Sequence, residues 1–420
     1  MAVPTSRIGY CENSAGMGKG AMNQPDTSGK IDGKALRIIT MIAFIGALGP
    51  FAIDTYLPAL PNMAASLPAT ASQMQWTVSA FLLGMAIFPM FLSPLSDAVG
   101  RLPVLTWSLV VFGVVSAACA LAPNIESFMV LRLLQAAAGG AAMTATRAIM
   151  SDMYRGNALS RATSVLMLIF TIAPVVAPIW GGWMLVIGDW TWIFWSLAVV
   201  AVISVGLTRV LPETLSPENR RAYRPRAVIA GYVEISQSRA ALRYLAASFA
   251  SSFMFFAMLV SSPFIFIDHF GVSATGFSWL FAGISAVAFA ANYLNARLVM
   301  RRSYQVMLRD AFTAVAVLAV LMGIVAASGF GGMWSVFFVM VWLMGLYHII
   351  SANSTAGMMT AMAHRGGSAA AVLALWRFLG GAVGSTLVGA FGSTHPWTFA
   401  VVLGIAVVLM QISLRIGAPE

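Results

Sequence analysis

Continuous apolar runs recur along the whole chain, and they limit its fold more than any other feature of the sequence. Each run is about 20 residues long, which as an α-helix spans the hydrocarbon core of a bilayer. Lipid admits only helices and closed barrels, and barrel strands would alternate apolar with polar residues. The chain is 60% hydrophobic and 9% charged, whereas soluble domains carry roughly 25% charged residues. The sequence therefore predicts an all-α membrane protein.

Twelve membrane-spanning helices are predicted from these runs, in two six-helix halves. A weak internal repeat supports the division: "LSDAVGRLPVL" joins the second and third spans, and "LNARLVMRRSYQVML" joins the eighth and ninth. Two such halves with a site between them are typical of secondary transporters. The predicted span centres are Leu48, Gly84, Gly113, Gly139, Ala173, Val200, Met254, Ser285, Leu318, Trp342, Leu379 and Gly404.

Composition also sets the predicted domain boundaries. Residues 1–37 are polar and are interpreted as a disordered cytoplasmic tail. Residues 38–211 form the N-terminal half, residues 212–239 a Pro- and Arg-rich cytoplasmic linker, and residues 240–420 the C-terminal half. The sequence carries no signal for the oligomeric state, and a monomer is expected because a fold of two such halves usually works as a monomer.

The distribution of basic residues predicts the orientation in the membrane. The odd-numbered connecting loops contain no Lys or Arg, whereas the tail, the even-numbered loops and the C-terminus collect them, among them Arg101, Arg155, Arg161, Arg239, Arg297, Arg365 and Arg415. Cytoplasmic loops of bacterial inner-membrane proteins are enriched in this way, so both termini are predicted to be cytoplasmic. The net charge of +10 is therefore interpreted as a topology signal, and no nucleic-acid partner is predicted.

Four charged residues lie well inside predicted spans: Asp54, Arg132, Arg147 and Arg377. Each costs at least about 2.5–3.5 kcal/mol at the bilayer centre, so each is a candidate for a functional role. Arg147 lies near a helix end, where its side chain can extend to the interface.

Asp54 and Arg132 fall at similar depth in the first half, and we expect them to pair. One interpretation is a static structural ion pair. The other is a proton site, because burial raises the pKa of a carboxyl group while a neighbouring arginine lowers it. Tyr56 is placed to offer a hydroxyl group to a substrate.

Other polar or small residues in the spans are candidates for a functional role, and for each of them a packing role is the alternative. His348 and Arg377 are predicted to line a substrate cavity, although a packing role suits each equally well or better. In "IAPVVAPIWGGW", Pro178, Gly181 and Gly182 indicate either gating or close helix packing.

Several motifs resemble the major facilitator superfamily, in particular its twelve-helix drug/proton antiporters of the Bcr/CflA type. "IDTYLPALP" resembles the signature of that subfamily, "SPLSDAVGRLPVL" the superfamily loop motif, "RLLQAAAGGAA" the fourth-helix motif and "APVVAPIWGG" the antiporter motif. The resemblance covers the chain from the first span to the twelfth. It implies a gating role for Asp97, Gly100 and Arg101, proton coupling through Arg132, and a cavity position for Gln135.

By this resemblance, the expected function is export of small amphipathic drugs, such as chloramphenicol-like or bicyclomycin-like compounds, or of metabolites. No ATP-binding loop of the Gly-Lys-Ser type appears, so protons are the expected coupling ion and no cofactor is predicted. The alternatives are a proton-coupled importer on the same fold, a passive channel and a polytopic membrane enzyme. The enzyme would need clustered Asp, Glu or His at one membrane face, and the two cysteines indicate neither a disulfide nor a metal site.

Overall fold

A computed structural model of the chain describes residues 32–220, 222–392 and 395–416. Within these ranges twelve helices are long and apolar enough to cross a membrane, which confirms the predicted span count. All twelve predicted centres lie inside the corresponding helices. Most of the predicted tail, residues 1–31, lies outside the described residues.

The first half contains seven helices, two of which share the first span. They are α1 (Gly33–Asp54), α2 (Leu60–Ser66), α3 (Ala71–Val99), α4 (Arg101–Ala120), α5 (Ile125–Met153), α6 (Gly156–Ile187) and α7 (Thr191–Thr208). After the linker helix α8 (Pro225–Gln237), the second half consists of α9 (Arg239–Pro263), α10 (Ala274–Leu298), α11 (Tyr304–Ser328), α12 (Gly332–Ala361), α13 (Gly366–Phe391) and α14 (Pro396–Arg415).

The first span is broken at the predicted functional carboxylate. α1 ends at Asp54, and a single 3₁₀ turn, Leu57–Ala59, connects it to α2. Pro58 has no backbone N–H, so the α-helical hydrogen bond to the Asp54 carbonyl cannot form. The sequence thus places Asp54 at a helix end inside a membrane span.

The packing inside each half repeats. In the first half α1 packs on α5 and α6, α3 on α5, and α4 on α5 and α7. In the second half α9 packs on α12 and α13, α10 on α12, and α11 on α12 and α14. Numbered by span, these five pairs occur in both halves, and the second half adds the packing of α9 on α14. The weak sequence repeat therefore corresponds to a structural repeat.

The two halves meet through α3 with α13 and α6 with α10. The Ser79 and Ser385 hydroxyl groups are hydrogen-bonded at 2.7 Å, and Gly389 leaves room for the Trp76 ring. The Ser79–Ser385 and Gly389–Trp76 contacts lie toward the side of the molecule opposite the Arg-rich loops. We call the side that carries those loops the basic face. The structure is therefore closed at the face opposite the basic face.

The linker helix α8 is attached to the second half at the basic face. The Trp376 indole N–H donates to the Ser236 hydroxyl at 3.1 Å, and Arg365 pairs with Glu234 at 2.7 Å. The hydrogen bond from Arg365 and its positive charge lower the pKa of the Glu234 carboxyl, so this contact keeps its charge at neutral pH. The domain boundaries at residues 37, 211 and 239 stay predictions, although a helix now occupies part of the linker.

The Ser79–Ser385 contact can be tested by cross-linking. In a background with Cys11 and Cys119 replaced by serine, the double variant Ser79→Cys/Ser385→Cys should form a disulfide on mild oxidation, because the two hydroxyl oxygens are only 2.7 Å apart. Cleavage at a protease site inserted in the linker, followed by non-reducing electrophoresis, should leave the two halves joined. The single-cysteine variants should give separate halves, and separate halves from the double variant would contradict the observed closure.

Candidate functional site

Arg132 is the most deeply buried charge in the described part of the chain, with 0% of its side chain exposed. Its guanidinium carbon lies 4.1 Å from the ring centre of Tyr56 and 4.2 Å from that of Phe81, with Phe194 at 5.7 Å. Aromatic ring faces attract a cation, and this attraction is strongest where water is excluded. Rings from α3, α7 and the break in the first span therefore form an aromatic cage around the arginine.

Hydrogen bonds complete the environment of Arg132. Its Nη1 donates to Gln135 Oε1 at 2.5 Å, and its Nη2 donates weakly to the Ala52 carbonyl at 3.4 Å. Gln135 in turn donates to the Ser116 hydroxyl at 2.7 Å. Residues three apart on a helix share a face, which is why Arg132 and Gln135 meet. The network ties α5 to α1 beside the break in the first span.

Tyr56 and Gln135, predicted to line a cavity, are fully buried in this conformation. The Tyr56 hydroxyl is hydrogen-bonded to Thr77 at 3.1 Å, and its ring covers Arg132. Both side chains are engaged by the arginine network rather than left open to a solute. Their role as cavity residues stays a prediction.

Asp54 is also buried, with 7% of the residue exposed, but it lies apart from the arginine. Its carboxylate makes no ion pair or hydrogen bond with a described residue, so the expected pair with Arg132 does not form in this conformation. Ala52 and Tyr56 contact the arginine, and Asp54, between them, points to the other side because successive helical residues are rotated by about 100°. Asp54 therefore lies at the depth of Arg132 but on a different side of α1.

Two glycines bring α6 against the end of α1 and the second half. A Cβ on Gly181 would overlap the Thr55 carbonyl, directly after Asp54, and a Cβ on Gly182 would overlap the Ser278 hydroxyl of α10. Pro178 is buried one turn earlier on the same helix. The predicted antiporter motif therefore lies where α6 separates α1 from α10.

The predicted gating motif forms a compact polar cluster at the basic face. Arg101 pairs with Asp97 and, at 3.1 Å, with Asp152 of α5. Gly100 joins α3 to α4 with φ +127°, a backbone conformation that favours glycine. The Glu213 carboxylate accepts hydrogen bonds from the backbone N–H groups of Arg101 and Leu102, both at 3.1 Å, and so caps α4.

Several members of these clusters have no signature in the sequence. Asp152 and Glu213 lie 51 and 112 positions from Arg101, and neither spacing gives a motif. Phe81 and Phe194 have no signature either, because nothing in their local sequence pattern separates a cation-binding ring from a packing ring. Only the folded arrangement of the helices reveals these partners.

The other two predicted cavity residues lie in the second half. His348 Nδ1 is hydrogen-bonded to the Met344 carbonyl at 3.0 Å. Arg377 donates weakly to the Ser248 and Thr355 hydroxyls at 3.4 and 3.3 Å. The structure brings these two residues near each other, but not into hydrogen-bond contact with Asp54 or Arg132.

Two repeated six-helix halves that meet along one interface define a polytopic secondary transporter. A model of the Major Facilitator Superfamily matches residues 42–385. The chain belongs to this family, and it is a transporter rather than an enzyme.

Relatives of nearly equal length agree with the drug-exporter resemblance. The chain is 27% identical over 379 residues to the bicyclomycin resistance protein homolog of Haemophilus influenzae, covering 89% of this chain and 94% of the relative. It is 28% identical over 397 residues to the chloramphenicol resistance protein of Pseudomonas aeruginosa, covering 89% of each. The resemblance to the Bcr/CflA-type exporters is confirmed.

A solved structure shows the same fold at low sequence identity. The crystal structure of a bacterial homologue of the human lysosomal transporter Spinster, in an inward-facing and unoccupied conformation, superposes with a TM-score of 0.70 at 13% identity. The superposition covers 91% of this chain and 95% of that protein. At this identity the likeness supports the fold alone.

The close contact at Gly181 generates a stability prediction. Gly181→Ala should lower the free energy of unfolding by about 1–3 kcal/mol, since the new methyl group forces α6 away from α1. Gly206→Ala in α7 is the matched control, because nothing lies within 4 Å of the position that its methyl group would take. That variant should be neutral or gain up to about 1 kcal/mol. Reversible unfolding in mixed micelles measures both, and equal effects would contradict the close packing of α6 on α1.

The Arg101 cluster generates a second prediction. Asp152→Asn should cost about 1–2 kcal/mol, because Arg101 and Asp152 are only 12% and 27% exposed and lose a charge-assisted contact. Asp310→Asn breaks the pair with Arg302, whose partners are 60% and 48% exposed, and should cost less than about 1 kcal/mol. The same unfolding measurement compares them. A larger loss for Asp310→Asn would show that burial does not govern these pairs.

Proposed function

We propose that this protein exports small amphipathic drugs or metabolites across the bacterial inner membrane in exchange for protons. The observation that carries the proposal is Asp54: among the described residues it is the one acidic side chain that is buried, and it has no partner there. Family membership and the names of the relatives support transport and drug resistance, and the proton and the direction are our inference.

The position of Asp54 makes its carboxylate costly to keep ionised. An unpaired charge away from water loses solvation that nothing in its surroundings replaces. Asp54 is also the last residue of α1, and a helix C-terminus carries partial negative charge that repels a carboxylate. Binding a proton removes both costs. A change of access that hydrates this carboxylate would favour proton release.

Arg132 acts in this proposal as a positioning residue rather than as the counter-ion of Asp54. Through Ala52 and Tyr56 it holds the segment on either side of Asp54 against α5. A movement of the first span relative to α5 would disturb the arginine cage and the surroundings of Asp54 together. This supports coupling between proton binding and the change of access.

The interface between the halves supports alternating access. The halves meet along two helix pairs, α3 with α13 and α6 with α10, with glycines and a serine pair at the closest contacts. Small residues allow helices to approach closely, and separation at this face would break the Ser79–Ser385 hydrogen bond. If the basic face is cytoplasmic, as the loop charges predict, this conformation is closed to the outside.

The direction of transport rests on the drug-resistance names of the relatives and on the antiporter motif of α6. A proton-coupled importer on the same fold is the alternative, because the geometry of Asp54 serves either direction. Protons are the proposed coupling ion, no cofactor is involved, and the working unit is proposed to be a monomer with both termini in the cytoplasm.

The proton site predicts the behaviour of a carboxamide variant. In everted vesicles that contain the wild-type protein, adding chloramphenicol should drive proton release from the vesicle interior. Asp54→Asn should reduce this release to the level of vesicles without the protein, because the carboxamide cannot exchange a proton. Asp189→Asn, at an exposed position beyond α6, is the matched control and should behave like wild type.

Three results would each overturn part of this proposal. Undiminished proton release in Asp54→Asn would remove Asp54 as the carrier. Drug accumulation in intact cells rather than in everted vesicles would establish import instead of export. Transport that is insensitive to a protonophore would favour the passive channel.

A further inference from the structure

A glutamine on α3 lies inside the contact between the two halves. Gln75 is completely buried, and its side-chain oxygen lies 3.3 Å from the position that a Cβ on Gly389 of α13 would take. Both residues lie one helical turn beyond the Ser79–Ser385 hydrogen bond, toward the ends of their helices. The glutamine therefore packs against the opposite half in this conformation.

This glutamine also lies close to the side of the molecule where the halves are closed. We call that side, opposite the basic face, the closed face. α3 begins at Ala71, four residues before Gln75, and α13 ends at Phe391, two residues after Gly389. At 1.5 Å per residue, Gln75 lies about 6 Å from the end of α3. Separation of the halves at the closed face would thus bring this side chain into contact with water.

The Gln75 amide makes no hydrogen bond with any described residue. Neither its oxygen nor its nitrogen has a partner, although the residue is completely buried. The other two buried amides in the described part of the chain, Gln135 and Asn353, are both hydrogen-bonded. Buried polar groups usually have partners, so an amide with two unbonded atoms calls for an explanation.

The surroundings of Gln75 explain why its amide stays without a partner. Gly389 presents no side chain to it. The Ser385 hydroxyl is already bonded to Ser79 at 2.7 Å and to the Gly381 carbonyl at 2.9 Å. The small residues that allow the halves to approach closely therefore offer this amide nothing to bind.

The burial of this amide destabilises the closed conformation relative to an open one. A polar group that loses water without gaining a hydrogen bond raises the free energy of the state in which it is buried. In an open conformation, water would bond to both amide atoms. The burial of Gln75 therefore opposes the contacts that hold the closed face together.

We propose that Gln75 sets how readily the closed face opens, because its buried amide keeps the closed and open conformations near enough in free energy for the transporter to alternate between them. The inference rests on the proposed alternating access and assigns part of that equilibrium to one side chain. Gln75 acts through the contact between the halves, as a positioning residue, and is not assigned to the proton site.

The reactivity of a buried cysteine measures how often the closed face opens. Ser278 is a suitable reporter, because it is 1% exposed, lies four residues from the closed-face end of α10 and packs on Gly182 of α6, at the other contact between the halves. In a background with Cys11 and Cys119 replaced by serine, Ser278→Cys in nanodiscs is treated with a water-soluble maleimide.

A second cysteine variant converts this labelling rate into an open fraction. Ser328→Cys, at an exposed position at the end of α11, gives the rate of an unprotected thiol. The rate for Ser278→Cys divided by the rate for Ser328→Cys is the open fraction, provided that the conformations exchange faster than labelling occurs.

Three glutamine variants test the proposal. Gln75→Met removes the amide and keeps the length of the side chain, and it should lower the normalised rate about tenfold, because an unbonded buried polar group shifts an equilibrium by about this factor. Gln75→Glu should raise the rate, since a carboxylate is costlier to bury than an amide. Gln411→Met, the same change at an exposed position of α14, should leave the rate unchanged.

Each outcome decides the inference. A lower rate for Gln75→Met together with a higher rate for Gln75→Glu would support it, because a general loss of structure would raise both rates. An unchanged or higher rate for Gln75→Met would overturn it and leave the glutamine as a packing residue. A reporter that stays unreactive in every variant would also overturn it, since the closed face would then not open. Undiminished proton release in Asp54→Asn would remove the proton carrier without changing these rates, so the two proposals fail separately.

Discussion

Hydrocarbon offers no hydrogen bonds to a peptide backbone, and the rest of this structure depends on that constraint. Every span must satisfy its own backbone groups, which makes the spans helices and leaves their side chains to decide how they pack. Where a proline removes one such bond, as Pro58 does after Asp54, the break lies against other helices rather than in lipid. The most chemically distinctive residue of the chain is placed at that break.

The hydrocarbon surroundings also explain which contacts the charged residues inside the spans make. Arg132 is buried completely and is stabilised by aromatic rings, a glutamine and a backbone carbonyl instead of a carboxylate. Asp54 is buried without a partner among the described residues. A carboxylate in these surroundings is costly to keep ionised, which is why Asp54 is the proposed proton carrier.

The contacts within each half differ in kind from the contacts between the two halves. Inside each half, long helices pack along much of their length, and at the basic face Arg101, Asp152 and Glu213 fasten the first half to the segment that follows it. Between the halves, α3 packs on α13 and α6 on α10, with glycines and small hydroxyl groups at the closest contacts. The polar cluster around Arg101 therefore lies at the basic face, and the closest contacts between the halves lie toward the opposite face.

The sequence by itself determined the twelve spans, the division into halves and the identity of the charges inside lipid, because length, hydropathy and charge can be read locally along the chain. Only the tertiary structure decided which of these charges meet. Asp54 and Arg132 share a depth but not a face, Glu213 reaches α4 across 112 positions, and two phenylalanines became cation partners. The depth of a residue in the membrane follows from its position along a helix. The direction in which its side chain points relative to other helices depends on how the helices rotate and pack. That packing is set by contacts between distant parts of the chain.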